Sequence, residues 1–242
     1  MSCSSSVSFV YLLSLALLLQ TASGADPLFH FCSDSGNFSA NDPYEANLKD
    51  LTAYLSIQAP PSGFGLGSIG QRPNQAYGLA LCRGDVSSQD CKTCVVEAGS
   101  EIRKRCPYNK GGIIWYDNCV FKYSNLEFFG RIDNGNRFYM WNLNVVSEPE
   151  AFNAKTRDLL SELANEAYGN PKMYAVGETE LNGLGKLYGL TQCTRDLSSS
   201  ECKKCLDGII GELPSCCDGN EGGRVVGASC NFRYEIYPFV NA

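Results

Sequence analysis

The chain has 242 residues and a net charge of −6, from 20 Lys and Arg against 26 Asp and Glu. Its only basic cluster is Arg103-Lys104-Arg105, at the end of a predicted helix where cations complement the dipole. Without clustered cations elsewhere, the chain is a poor match for nucleic acid or an anionic membrane, and no nucleic-acid partner is expected.

Val7 to Leu19 is apolar except for Ser8 and Ser14, too short to span a bilayer, and runs into the small residues Ala22-Ser23-Gly24-Ala25. This reads as a secretory signal peptide over residues 1–24. No later segment is apolar enough for a membrane helix, so no membrane span is expected and the mature protein should be extracellular. Removing the signal takes Cys3 and leaves twelve of the thirteen cysteines, an even number suited to an oxidising compartment. Asn37-Phe38-Ser39 is a glycosylation sequon in a loop-like setting.

Leu48, Leu51, Tyr54 and Leu55 fall at helical spacing after Asp42-Pro43, predicting a helix from about Pro43 to Ile57. Gly63 to Gly70 is glycine-rich without the Gly-Lys-Ser/Thr ending of a phosphate loop, and reads as a flexible loop. Ser87 with Asp90 opens a second helix that carries Cys91, Cys94, Val95, Ala98 and Ile102 on one face. Ile113–Tyr116 and Cys119–Tyr123 read as an antiparallel hairpin. Phe128–Ile132 and Arg137–Trp141 flank Asn134-Gly135 and predict another, leading out of the first unit.

The same elements then recur. Leu159, Leu160, Leu163 and Ala167 follow Ser147-Glu148-Pro149; Ser198 with Glu201 opens a helix bearing Cys202 and Cys205; Arg224–Val226 precedes the alternating strand from Cys230 to Tyr237. Tyr77-Gly78-Leu79 with Cys82, Cys91, Cys94 and Cys119 reappears as Tyr188-Gly189-Leu190 with Cys193, Cys202, Cys205 and Cys230, each 111 residues on (193 − 82 = 111). That period far exceeds the roughly 20 to 50 residues of solenoid repeats, so it marks a duplicated domain. The boundaries are drawn at 25–135 and 136–242, and the short aromatic connection predicts that the two domains pack together.

The doubled Cys-x8-Cys-x2-Cys spacing after Tyr-Gly-Leu resembles the plant stress-antifungal, or ginkbilobin-homologous, domain. Trp141-Asn142, Cys216-Cys217, Gly222-Gly-Arg224 and Arg233-Tyr-Glu-Ile-Tyr-Pro-Phe239 extend the likeness to cysteine-rich repeat secretory proteins and to the extracellular modules of cysteine-rich receptor-like kinases and plasmodesmata-located proteins. The resemblance implies an α+β fold, each domain an antiparallel sheet of about five strands packed with two helices. It also implies the bridges Cys82–Cys91, Cys94–Cys119, Cys193–Cys202, Cys205–Cys230 and Cys32–Cys106. In the second domain the counterpart of Cys32 falls near Leu143 or Asn144, and Cys216-Cys217 stands where the first has Cys106. These two either close a vicinal bridge, stay reduced or pair externally; the oxidising compartment favours the bridge.

The paired Cys-x2-Cys motifs have the spacing of a zinc site, but they belong to separate copies, and no metal or cofactor is expected. Cys91-Lys92-Thr93-Cys94 near a helix start also has the setting that lowers a thiol pKa, so an apoplastic thiol-redox protein is one alternative. The single histidine, His30, and the lack of a Gly-x-Ser-x-Gly elbow leave no catalytic constellation, and binding rather than an enzyme is expected. A mannose-binding relative, carried over by position, implies Asn144 or Asn142, Arg224 and Glu235 as a carbohydrate site in the second domain, whereas the first offers Ser33, Ile113 and Ser124. The plainer alternative is an Arg224–Glu235 ion pair on the outer face of the sheet. The expectation is therefore a secreted recognition protein of plant defence, with a mannose-type glycan or an extracellular receptor or homotypic protein as partner.

Overall fold

The computed structural model describes residues 26–181 and 185–240; the signal peptide read over 1–24 lies outside them. The first half runs β1 (Phe29–Cys32), α1 (Pro43–Gln58), β2 (Phe64–Ile69), β3 (Ala76–Cys82), α2 (Ser88–Arg105), β4 (Gly111–Trp115) and β5 (Cys119–Ser124). The second runs β6 (Arg137–Trp141), α3 (Pro149–Gly169), β7 (Tyr174–Glu180), β8 (Lys186–Cys193), α4 (Ser199–Ile210), α5 (Leu213–Cys216), β9 (Gly222–Gly227) and β10 (Cys230–Glu235). Two antiparallel five-stranded sheets result, ordered β1-β4-β5-β3-β2 and β6-β9-β10-β8-β7, the same topology twice.

Local chemistry starts α1, α2 and α4 as their sequences suggest, whereas α3 opens on Pro149 with no side-chain cap. Asp42 accepts a hydrogen bond from the Tyr44 amide (2.8 Å) ahead of Pro43, Ser87 Oγ accepts from the Asp90 amide (3.1 Å), and Ser198 Oγ from that of Glu201 (3.2 Å). Tyr44, Leu48, Leu51 and Leu55 form the buried stripe of α1. The glycine of each Tyr-Gly-Leu motif lets the helix approach its sheet. A Cβ on Gly78 would lie 2.8 Å from Leu51 Cδ2, and one on Gly189 2.8 Å from Leu163 Cδ1.

Among the described residues, five disulfides staple these layers and a sixth joins adjacent cysteines. Cys82–Cys91 and Cys94–Cys119 hold α2 to β3 and β5; Cys193–Cys202 and Cys205–Cys230 hold α4 to β8 and β10. Cys32–Cys106 ties β1 to the end of α2, while Cys216 bonds its neighbour Cys217. Strand β6 therefore has no covalent strap. It is clasped instead by Glu212, just before α5, whose carboxylate accepts from the Arg137 guanidinium and from Tyr139 Oη (2.8 Å).

Two expectations are corrected. Gly63 to Gly70 is not a loop, because Phe64–Ile69 pairs along β3 as an edge strand. Its glycines alternate with apolar residues, so Gly65 and Gly67 form a bare face under Ala59 and Tyr54 while Phe64 and Leu66 turn to the other side. Phe128–Ile132 does not pair with Arg137–Trp141; the latter is β6 and bonds to β9. The Asn134-Gly135 bend is organised by Asp133, whose Oδ1 accepts from the amides of Gly135 and Asn136 (3.0 and 3.1 Å).

The halves pack through the sheet faces away from their helices. Leu79, Leu81, Ile113, Trp115 and Val120 meet Val226 and Ala228, with Phe31, Phe64, Phe128 and Phe138 packed around them. Trp115 Nε1 donates to the Gly227 carbonyl (3.2 Å), and Gln192 Nε2 to that of Cys82 (3.0 Å). The connection adds Asp133 N to Ser229 Oγ (2.9 Å) and Gly130 N to Asp196 Oδ2 (2.9 Å).

Candidate functional site

Strands β9 and β10 set Arg224 directly opposite Arg233, so two guanidiniums stand side by side on the face turned from the helices. Glu235 pairs with Gly222, and its carboxylate occupies the space that a Cβ there would fill: such an atom would lie 1.9 Å from Glu235 Oε2. Glu235 Oε1 accepts from Arg233 Nε (3.0 Å). The first half contributes Asp117, in the β4–β5 turn, whose Oδ1 accepts from Arg224 Nη1 (2.6 Å) with Arg233 Nη1 at 3.6 Å. Asp117 Oδ2 accepts from Arg83 Nη1 (3.0 Å), and Arg83 is also bound to Asp85 through Nε (2.6 Å).

Burial would raise the Asp117 carboxyl, but the Arg224, Arg233 and Arg83 guanidiniums outweigh it and hold the group below the ordinary carboxylate range. Burial pushes Arg224 down, and Asp117 offsets part of that. One exposed-edge carboxylate thus neutralises adjacent like charges from the other half of the molecule.

Asp117, Gly222, Arg224, Arg233 and Glu235 line a cleft of about 360 Å³, within the range of small-ligand sites, together with Met140, Trp141, Asn142, Gly223, Tyr237 and Leu28. Trp141 and Tyr237 are 53% and 47% exposed, which leaves their rings open to a ligand. Arg224 and Glu235 are in the cleft but are not each other's partners: Arg224 pairs with Asp117 and Glu235 with Arg233.

Asn144 does not line it. Its Nδ2 donates to Glu221 Oε2 (3.1 Å). The backbone identifies the counterpart of Ser33 as Asn142, since the Ser33 amide bonds to the Gly111 carbonyl and the Asn142 amide to that of Gly222, both at 2.9 Å and 111 residues apart (222 − 111 = 111). Likewise Cys32 faces Gly112 and Trp141 faces Gly223. The cysteine missing from the second half is therefore replaced by Trp141, rather than falling at Leu143 or Asn144, because the offset between copies shrinks to 109 at the first strand (141 − 32 = 109).

Asp117 and Arg233 escaped sequence reasoning. The one trace of Asp117 is that Ala228 stands at its place in the second copy. The two cysteines of each Cys-x2-Cys motif are bonded to different partners, and Cys91 and Cys94 are 1% and 8% exposed. Among the described residues there is no His, Cys, Asp or Glu group suited to a metal, and no helix long and apolar enough to cross a membrane. Asn37 is exposed, in the segment between β1 and α1.

The sequence profile of the salt stress response/antifungal family matches residues 31–126 and 141–237. An antimicrobial ginkbilobin-2-like protein of Castanea crenata is 59% identical over 98% of this chain and 97% of its own length. Cysteine-rich repeat secretory protein 38 of Arabidopsis thaliana is 55% identical over 96% of this chain and 92% of its own. The crystal structure of the tandem DUF26 ectodomain of the Arabidopsis thaliana cysteine-rich receptor-like protein PDLP8 superposes with a TM-score of 0.78 at 25% identity, covering 89% of this chain and all of that one. The protein is extracellular, in line with a relative named as secretory and a structure that is an ectodomain. With the same profile matched once on each sheet, the chain belongs to the salt stress response/antifungal family and carries its domain twice.

Proposed function

We propose that the protein is an extracellular recognition protein of plant defence that binds a mannose-type sugar in the cleft of the second domain. The observation that carries this reading is that Asn142, Arg224 and Glu235 line one cleft beside the open ring of Trp141. Sugar hydroxyls donate and accept at once; an amide does both, a guanidinium donates and a carboxylate accepts. An indole ring supplies the apolar platform against which the C–H face of a pyranose packs. Antimicrobial action, in the name of the Castanea relative, would follow from capture of glycans on a microbial surface.

A thiol-redox role fits less well, because Cys91 and Cys94 sit in separate buried bridges. Strand pairing with a receptor ectodomain or a second copy is opposed at the β7 edge by Glu178, Glu180 and Lys186, charges of the kind that protect sheet edges. Calorimetry with mannose and short mannans, with galactose as control, tests the sugar reading. Saturable mannose binding that Glu235→Ala weakens by about 1 to 3 kcal/mol is expected; equal affinity for wild type and variant would refute it.

A further inference from the structure

A second cleft, of about 190 Å³, opens elsewhere between the halves, where the Pro60–Gly63 turn and the end of β3 meet Gln192, Arg195 and Lys172. Its charged lining residues are Arg83, Arg195 and Lys172, with no carboxylate among them, in a chain where acids outnumber bases. Arg83 is already matched by Asp85 and Asp117. Arg195 and Lys172 are not: neither has a carboxylate partner among the described residues.

Arg195 is nonetheless held in place. Its guanidinium lies over the Phe64 ring at 5.1 Å, one Nη donates to the Ser62 carbonyl, and its Nε is buried with no acceptor. Burial pushes this guanidinium down, with no acid nearby to offset it. A buried N–H without an acceptor is costly, and a charged one more so, unless something supplies the missing oxygen. Arg195 occupies the place of Gly84 in the first copy (195 − 111 = 84), and Lys172 that of Ser62 (172 − 62 = 110), since the Met173 carbonyl accepts from the Cys193 amide as the Gly63 carbonyl does from Cys82; Gly84 and Ser62 line the same cleft. The second domain furnishes both cations that lack a carboxylate partner.

We infer that this cleft is a binding site for the oxyanion group of a small ligand, a sulfate, phosphate or carboxylate, gripped by Arg195 with Lys172 as the second cation. A planar guanidinium fixed by an aromatic ring and a carbonyl presents its remaining N–H groups to such an anion at little further ordering cost. The site is separate from the sugar cleft and stands or falls independently of it.

The test is NMR on the disulfide-bonded secreted protein, following the Arg195 Nε–H and Gln192 side-chain resonances during titration with sodium sulfate, inorganic phosphate and galacturonate, each against sodium chloride at matched ionic strength. A saturable shift with at least one oxyanion and none with chloride is expected. Response to sulfate and phosphate alone identifies an inorganic or ester oxyanion, and response to galacturonate alone a sugar acid. Arg195→Lys, read at Gln192, should weaken binding by about tenfold or more, and Lys172→Ala by a smaller factor. Shifts that rise linearly with every salt, or that persist unchanged in both variants, would overturn the assignment.

Discussion

Asp117 of the first domain accepts a 2.6 Å hydrogen bond from Arg224 of the second, so a residue expected to face a ligand is oriented by a carboxylate from the other half of the chain. Removing Asp117 leaves Arg224 buried opposite Arg233 without its counter-charge. Asp117→Ala should lower stability in chemical denaturation by about 1 kcal/mol, below the range of a buried charged hydrogen bond, because the Asp117 side chain is 48% exposed.

Acid should loosen the domain interface. Burial opposes ionisation of Asp117 and Asp133, but the arginines around Asp117, and Lys122 with Asn136 around Asp133, hold both carboxyls below their ordinary value. Their contribution is complete above the unfolded-state pKa of about 4 and is lost as pH falls through the lower folded-state values. Denaturation midpoints measured from pH 7 to pH 2 should fall below about pH 4. Asp117→Asn should make that fall shallower; an unaltered pH profile would remove Asp117 from the account.

Position 142 and position 144 give opposite forecasts. Asn142→Ala should weaken mannose binding by about 1 kcal/mol or more, whereas Asn144→Ala, whose amide is spent on Glu221, should leave it unchanged. Calorimetry on the two variants separates the backbone alignment from one based on a constant offset.

Non-reducing peptide mapping should recover none of the twelve cysteines beyond the signal as a free thiol, with Cys91 joined to Cys82 and Cys94 to Cys119. Alkylation of Cys91 and Cys94 together in unreduced protein would instead support thiol exchange.

The close approach at Gly78 makes a sharp packing test. Gly78→Ala would put a methyl 2.8 Å from Leu51 Cδ2 and 2.9 Å from Leu55 Cδ1, and should cost about 1 to 3 kcal/mol in calorimetric unfolding.

What could be read in advance was local. Serine caps, the apolar stripe of α1 and the alternation through β10 are each written within about a dozen residues, and the doubled cysteine spacing made the duplication visible. What was missed depends on distant partners. Strand β2 looked like a loop because its glycines acquire meaning only under Tyr54 and Ala59 of the preceding helix. Strand β6 pairs with β9, from Arg137 opposite Gly227 to Trp141 opposite Gly223, although a turn signal lay just before it. Arg224 and Glu235 reach one cleft as their strand register requires, but Asp117 enters it only through packing of the two domains, which no spacing encodes.

The Glu212 clasp on β6 gives the two copies different modes of opening. Strand β1 cannot leave its sheet freely while Cys32–Cys106 is intact, but β6 is released once the contacts of Arg137 and Tyr139 with one carboxylate, the packing of Phe138, and its pairing with β9 let go. Because β6 ends in Trp141 and leads into Asn142, that excursion would dismantle one wall of the sugar cleft with every covalent bond in place. The amide protons of β6 should therefore exchange with solvent ahead of those of β1, and an occupied cleft should slow them, so that recognition and the fraying of a single strand become one equilibrium.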